Sequence, residues 1–149
     1  MKKLMVFCLL CVAFLMTACG GGSKLTCTAN QLDGVVKTVY SFEFDSDDKL
    51  DGVEFEETID FSKVENFEET IGCANLEECM EAAKLELKEC ENNSSYESCK
   101  IINETKTGLT VKARISEDAL KKETVTFKQG MTKEEVKKEA ETDAVFTCE

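Results

Sequence analysis

The sequence predicts an α+β domain: a mainly antiparallel sheet of two hairpins plus a C-terminal strand, with one long helix packed on one face and a short C-terminal helix. Three observations predict it. Segments 35–44 and 53–61 alternate apolar and polar residues with a period of two. From Leu76 to Cys90 the apolar residues fall instead at helical spacing on one face. The links between strands are short and rich in turn formers, and too few residues remain for several right-handed crossovers, so antiparallel pairing is favoured.

The chain opens with Lys2 and Lys3 and an apolar run from Leu4 to Ala18, the charged-then-hydrophobic order of an export signal. As a helix this run would reach only ~22 Å, short of the ~30 Å hydrocarbon slab of a bilayer, so it reads as a signal and not a span. After Cys19 come Gly20, Gly21, Gly22 and Ser23, which have little to bury and form a flexible leash. Leu15-Met-Thr-Ala-Cys19 resembles the processing site of bacterial lipoproteins, with Met16 where that site more often has Leu. The resemblance implies a diacylglycerol on Cys19, cleavage before it, and the membrane as a partner through that lipid. The alternative is an ordinary secretory signal with a coincidental cysteine. Residues 1–18 are thus read as the signal peptide, 19–26 as the lipidated cysteine and tether, and 27–149 as one disulfide-stapled domain.

In the domain, Val36, Tyr40, Phe42 and Phe44 occupy even positions of a first strand, and Val53, Phe55, Ile59 and Phe61 odd positions of a second. Between them Asp45-Ser-Asp-Asp-Lys-Leu-Asp-Gly52 is rich in turn formers, so the two strands make a hairpin. Asn75-Leu-Glu-Glu78 is a helix cap, and the helix it opens runs to about Glu91 with Leu76, Cys79, Met80, Ala83, Leu87 and Cys90 along one face. Cys99 to Thr105 and Leu109 to Ile115 flank Lys106-Thr-Gly108 as a second hairpin, with Leu109, Val111, Ala113 and Ile115 inward. Ser116 caps a brief turn carrying Ala119 and Leu120, and Thr124 to Phe127 reads as a further strand. Thr132-Lys-Glu-Glu135 starts a short helix to about Glu141, with Val136 and Ala140 as its anchors, expected on the surface. Ala144 to Cys148 alternates as a final strand.

Of nine cysteines, Cys8 and Cys11 leave with the signal and Cys19 carries lipid, which leaves Cys27, Cys73, Cys79, Cys90, Cys99 and Cys148. An even set in an exported domain reads as disulfides. A zinc site is disfavoured because no Cys-x-x-Cys pair occurs among these six. Cys79 and Cys90 lie ~16 Å apart along the helix, far beyond the ~7 Å limit for a bridge. Cys73 can fold back to Cys79, and Cys90 and Cys99 can close the polar loop between them, which leaves Cys27 for Cys148.

Composition narrows the chemistry. Removing residues 1–18 takes away two lysines and no acid, so 16 Lys+Arg face 30 Asp+Glu, a net charge of −14 that disfavours nucleic acid as a partner. Histidine, proline and tryptophan are absent, so no imidazole base or Cys-His pair exists, and no cofactor is expected. Asp47, Asp51 and Gly52 match three positions of a calcium loop, but Lys49 and Thr58 stand where it needs an oxygen ligand and a closing glutamate. A solvated turn is the preferred reading. Glu54, Glu56 or Glu57 are candidate acids for a carboxylate-based hydrolase of wall polymers, but two carboxylates on a strand's outer face supply spacing and no cleft.

The order of lipidated Cys19, leash, Leu25-Thr-Cys27-Thr, the hairpin from Tyr40-Ser-Phe-Glu-Phe-Asp45 to Lys49-Leu50, helix, hairpin, Met131-Thr-Lys-Glu-Glu-Val136 and Val145-Phe-Thr-Cys148 resembles the YehR-like small lipoproteins of bacteria. The resemblance implies a compact α+β envelope domain with no established reaction, so no catalytic residue carries over. Lys/Glu/Asn-rich composition suits a low-GC Gram-positive source. The leading functional expectation is a non-catalytic, extracytoplasmic binding module for an envelope protein or small ligand. The alternatives are an accessory subunit of a membrane complex and, less favoured, the hydrolase.

Overall fold

The computed structural model describes residues 22–122, 125–142 and 146–149. Strand β1 (Lys24–Gln31) passes through a 3-10 turn at Leu32–Gly34 into β2 (Val36–Phe44), and β3 (Leu50–Asp60) follows the acidic turn. A 3-10 turn at Phe61–Lys63, the one-turn helix α1 (Phe67–Thr70) and the long helix α2 (Leu76–Glu91) come next. Then follow β4 (Tyr96–Glu104), β5 (Gly108–Ile115), α3 (Glu117–Lys121), α4 (Lys133–Thr142) and β6 (Phe146–Cys148). The strands form a single antiparallel sheet in the order β4-β5-β3-β2-β1-β6. The fold is α+β, and among the described residues it has four helices, one of them long.

The caps form from the residue types that predict them. Asn75 Oδ1 accepts the Glu78 N–H at 3.0 Å while Glu78 Oε2 accepts the Ala74 N–H at 2.8 Å, so donors that open α2 are satisfied reciprocally. Thr132 and Glu135 do the same for α4, with Glu135 Oε2 accepting the Thr132 N–H at 2.8 Å and Thr132 Oγ1 accepting the Glu135 N–H at 3.3 Å. Ser116 Oγ accepts the Ala119 N–H at 3.2 Å.

Several elements differ from the sequence reading. Lys24, Leu25 and Thr26, read as tether, begin β1, which pairs with β2 over its whole length from Lys24–Glu43 to Gln31–Val36. Leu25, Cys27 and Ala29 are buried on one side, a period of two that the preceding glycines obscure. Gly22 already belongs to the packed structure. A Cβ there would lie 2.0 Å from the Phe44 carbonyl oxygen, and the next residue, Ser23, accepts the Phe44 N–H at 2.9 Å. Only glycine fits so close to another backbone.

The strand expected at Thr124 to Phe127 is not formed over its described residues, which are bends from Val125 to Phe127; Thr124 lies outside the described residues. Residues just beyond take up the pairing: Gly130 donates its N–H to Leu50 O at 2.9 Å, and Leu50 donates to Met131 O at 2.8 Å. The Gly130 φ of 85° allows this turn. The final strand is formed from Phe146; Ala144 and Val145 lie outside the described residues. Helix α4, expected on the surface, sets Val136 and Ala140 into the main core at 0% and 4% exposure. Two small anchors are enough because the facing strands, β1 and β6, present the small residues Cys27 and Cys148.

The registers divide the sheet into two faces. Lys24, Glu43, Glu54, Glu56, Lys112, Arg114 and Thr110 share the outer one, where Lys112 bridges Glu54 and Glu56 at 2.7 and 3.2 Å and Arg114 bridges Glu43 and Glu97 at 2.9 and 3.2 Å. The inner face carries the core, in two parts. Phe42, Leu50, Val53, Leu120 and Val136 centre the larger cluster, whereas Leu87, Cys99 and Ala113 form a thin one under α2. Rings link the parts: Tyr40 lies 5.4 Å from Phe146 and 5.4 Å from Phe55, and Phe55 lies 6.1 Å from Tyr96. The long helix therefore covers part of one face, not the whole of it.

Disulfides join Cys27 to Cys148, Cys73 to Cys79 and Cys90 to Cys99. The first links residues paired directly across β1 and β6, and the third ties the end of α2 to β4. Three disulfides are compatible with an extracytoplasmic protein. Among the described residues no helix is long and apolar enough to cross a membrane.

Candidate functional site

Alternation along β3 decides where its three glutamates go. Glu54 and Glu56 point to the outer face with Lys112 between them, while Glu57 lies with Phe55 and Ile59 on the inner face. The three candidate acids are thus not brought together. Hydrogen bonds from Lys112 to Glu54 and Glu56 hold the lysine charged, its pKa raised above the usual value, so this outer trio is already neutralised in part. On the same face Arg114 hydrogen-bonds Glu43 and lowers the Glu43 pKa.

Glu57 has a different setting. It is half-buried on the floor of a groove of about 220 Å³ between α2 and the sheet. Phe55, Ile59, Val111 and Tyr96 line the sheet side, and Ala83, Glu86 and Leu87 the helix side. The α2 stripe at positions 76, 79, 80, 83, 87 and 90 aims this side of the helix at the sheet, and the Cys90–Cys99 bond fixes its far end. Directly across from Glu57 on β2 stands Thr38, 5% exposed, whose hydroxyl donates to Glu57 Oε2 at a long 3.4 Å. Among the described residues no lysine or arginine pairs with Glu57. Burial pushes its pKa up, the Thr38 hydrogen bond opposes this, and the Glu86 carboxylate adds to the rise. Burial also raises the pKa of Tyr40, with Tyr96 and Glu57 contributing.

A larger cleft, about 1070 Å³, lies between the start of α2 and the β4–β5 turn, lined by Asn75, Met80, Glu81 and Lys106 among others. It is wide open, and its Lys84 and Glu104 already pair with each other. The smaller groove is the better candidate, because it combines apolar walls with a carboxylate that has no cationic partner among the described residues.

The acidic turn is closed by its own groups. Asp45 Oδ1 accepts the N–H of Asp47 at 2.9 Å and of Lys49 at 3.0 Å, and Asp48, at φ 59°, accepts the Ser23 hydroxyl at 2.9 Å. Asp51 meets the Gln129 amide at 3.5 Å. Among the described residues no group of three or more Cys, Asp or Glu is placed to hold a metal ion. Cys19 and residues 1–18 lie outside the described residues.

The sequence reading missed Glu57 as an inward group and Thr38 as its neighbour, although a signal was there. The inward positions of the two strands, 36 to 44 and 53 to 61, are apolar except at Thr38 and Glu57, and these two interruptions are direct cross-strand partners. Comparison with family models, with curated proteins and with solved structures finds no match to this chain.

Proposed function

We propose that this chain is a non-catalytic binding protein held at the outer surface of a bacterial cell membrane, Gram-positive on its composition, by lipid on Cys19. Its ligand site is the groove over Glu57. The observation that carries the binding reading is the carboxylate on the groove floor, which has no cationic partner among the described residues. A half-buried charge without a partner opposes folding, and a site that retains one has a use for it.

Anchorage draws on the leader, on Leu15-Met-Thr-Ala-Cys19 and on the resemblance to YehR-like lipoproteins, and the three disulfides fit the same location. With β1 starting at Lys24, the residues 20–23 between anchor and sheet span at most ~14 Å. The domain then works close to the bilayer. Its negative charge and paired outer face favour neither nucleic acid nor anionic lipid as a ligand.

One observation favours the hydrolase as a second reading: the raised pKa of Glu57 suits a general acid. Glycoside hydrolysis requires a second carboxylate across the bond, and the groove supplies only the exposed Glu86. Two experiments test the main reading. Mass spectrometry of the protein from its host is expected to find diacylglycerol on Cys19 and no residues 1–18; a bare Cys19 behind an intact leader overturns the anchorage. A photo-reactive residue at Ala83 is expected to give an adduct in intact cells that Glu57→Ala abolishes. Release of wall sugars by the wild type but not by Glu57→Gln would replace binding by hydrolysis.

A further inference from the structure

We propose that the groove over Glu57 takes a small organic cation with an apolar body, such as a primary or quaternary amine. This deepens the proposed function and rests on its assignment of the groove as the ligand site.

The argument is one of charge and shape. Glu57 lies between Phe55 and Ile59 along β3 and faces Glu86 on α2, so both ionisable side chains of the groove wall that are not phenols are carboxylates. The hydroxyl of Thr38 is its only hydrogen-bond donor among the described residues, and that bond is long. An anion entering here would meet two like charges, and a neutral polar ligand would leave the carboxylate uncompensated. A metal ion needs several oxygen ligands, and the described residues offer no such cluster.

What remains is a single positive charge whose substituents suit the walls. Tyr96 and Phe55, which line the same groove, stand edge to face, 6.1 Å apart, and such rings attract an ammonium group through their faces. Ile59, Leu87 and Val111 offer apolar surface for the rest of the molecule. At about 220 Å³ the groove is smaller than the ~300–1,000 Å³ of drug-sized sites, so the ligand is small. The surrounding acidic surface raises the local concentration of cations.

The test uses the full chain, isotope-labelled and held in non-ionic detergent, titrated with benzylammonium, benzyl alcohol and phenylacetate while amide resonances are followed. Benzylammonium is expected to shift the resonances of Glu57, Ile59, Leu87 and Tyr96 and to bind about tenfold tighter than the alcohol. Phenylacetate is expected not to bind. Glu57→Gln, which keeps the shape, is expected to abolish the preference for the cation, and Glu86→Gln to reduce it. Equal binding of alcohol and ammonium, or a preference that survives Glu57→Gln, overturns the cation assignment but leaves the groove as a site. No shift at groove residues with any probe overturns the groove itself.

Discussion

The two halves of the inner face are built differently. Under α3 and α4, Phe42, Leu50, Val53 and Val136 are at most 1% exposed, and the Cys27–Cys148 bond runs through the same cluster. Under α2 the core cluster is only Leu87, Cys99 and Ala113, with Phe55, Tyr96, Ile101 and Val111 half-buried against it, beside a groove. The longest of the described helices thus lies over the least complete packing. A 16-residue helix could bury far more than Cys79 and Leu87 if stability alone had shaped it. The difference separates a half that holds the fold from a half held slightly apart from the sheet around a charged group.

Replacing both cysteines of a bridge by serine gives the largest expected effect. Loss of Cys27–Cys148, which closes a separation of 121 residues, is expected to cost ~5 kcal/mol, against ~2.5 kcal/mol for Cys90–Cys99 at a separation of 9. Denaturant midpoints of the two double variants measure this, and equal losses would erase the contrast between the halves. Next comes side-chain truncation. Phe42→Ala is expected to destabilise by ~3–5 kcal/mol, while Leu87→Ala, beside an existing gap, falls near the low end of its range at ~2 kcal/mol. A Leu87→Ala loss as large as that of Phe42→Ala would mean that the α2 half is packed as tightly as the other.

Arg114→Ala on the outer face is expected to cost no more than ~1 kcal/mol, less at high salt, because its ion pairs are partly solvated. A larger, salt-independent loss would make the outer face a third structural layer.

The smallest effect has the opposite sign. Glu57 has a folded pKa raised above its ordinary 4.5, so between these values the folded chain binds more protons than the unfolded one and stability falls as pH rises. The penalty is absent below the unfolded value and fully present above the folded one. Glu57→Gln is therefore expected to raise the thermal midpoint at pH 7, by the equivalent of a few tenths of a kcal/mol, and to leave it unchanged near pH 3. Glu86, Tyr40, Tyr96 and Thr38 are the polar groups that face it, so a repeat in Glu86→Gln isolates its own share. Stabilisation at both pH values would point to packing and not to charge.

Much of this was legible in the sequence where one local signal sufficed. The helix cap at Asn75, the alternation of the two strands before and after the acidic turn, and the Thr132–Glu135 pair each specify geometry within a few residues. Helix pitch alone ruled out a Cys79–Cys90 bond, and the structure sends those sulfurs to Cys73 and Cys99. Other features depend on distant partners. Strand β1 is recognisable only once β2 pairs with it, since Leu25-Thr-Cys-Thr-Ala29 follows a glycine run that reads as leash. The burial of α4 depends on how small its facing residues are, and the path of 125–132 on two hydrogen bonds to Leu50. Glu57 falls between these cases: strand parity places it inward, but the groove above it exists only because α2 stops short of filling that space.

The bond between β1 and β6 also sets how the protein answers mechanical tension. A pull applied ahead of Lys24 reaches Cys27 a few residues after entering the sheet, and passes through sulfur into Cys148 on the adjoining strand. Only the stretch ahead of Cys27 can peel from β2 under such a tug, while the 121-residue separation beyond it is shielded from extension. Tension from that end would then strip one short ribbon and leave the groove intact.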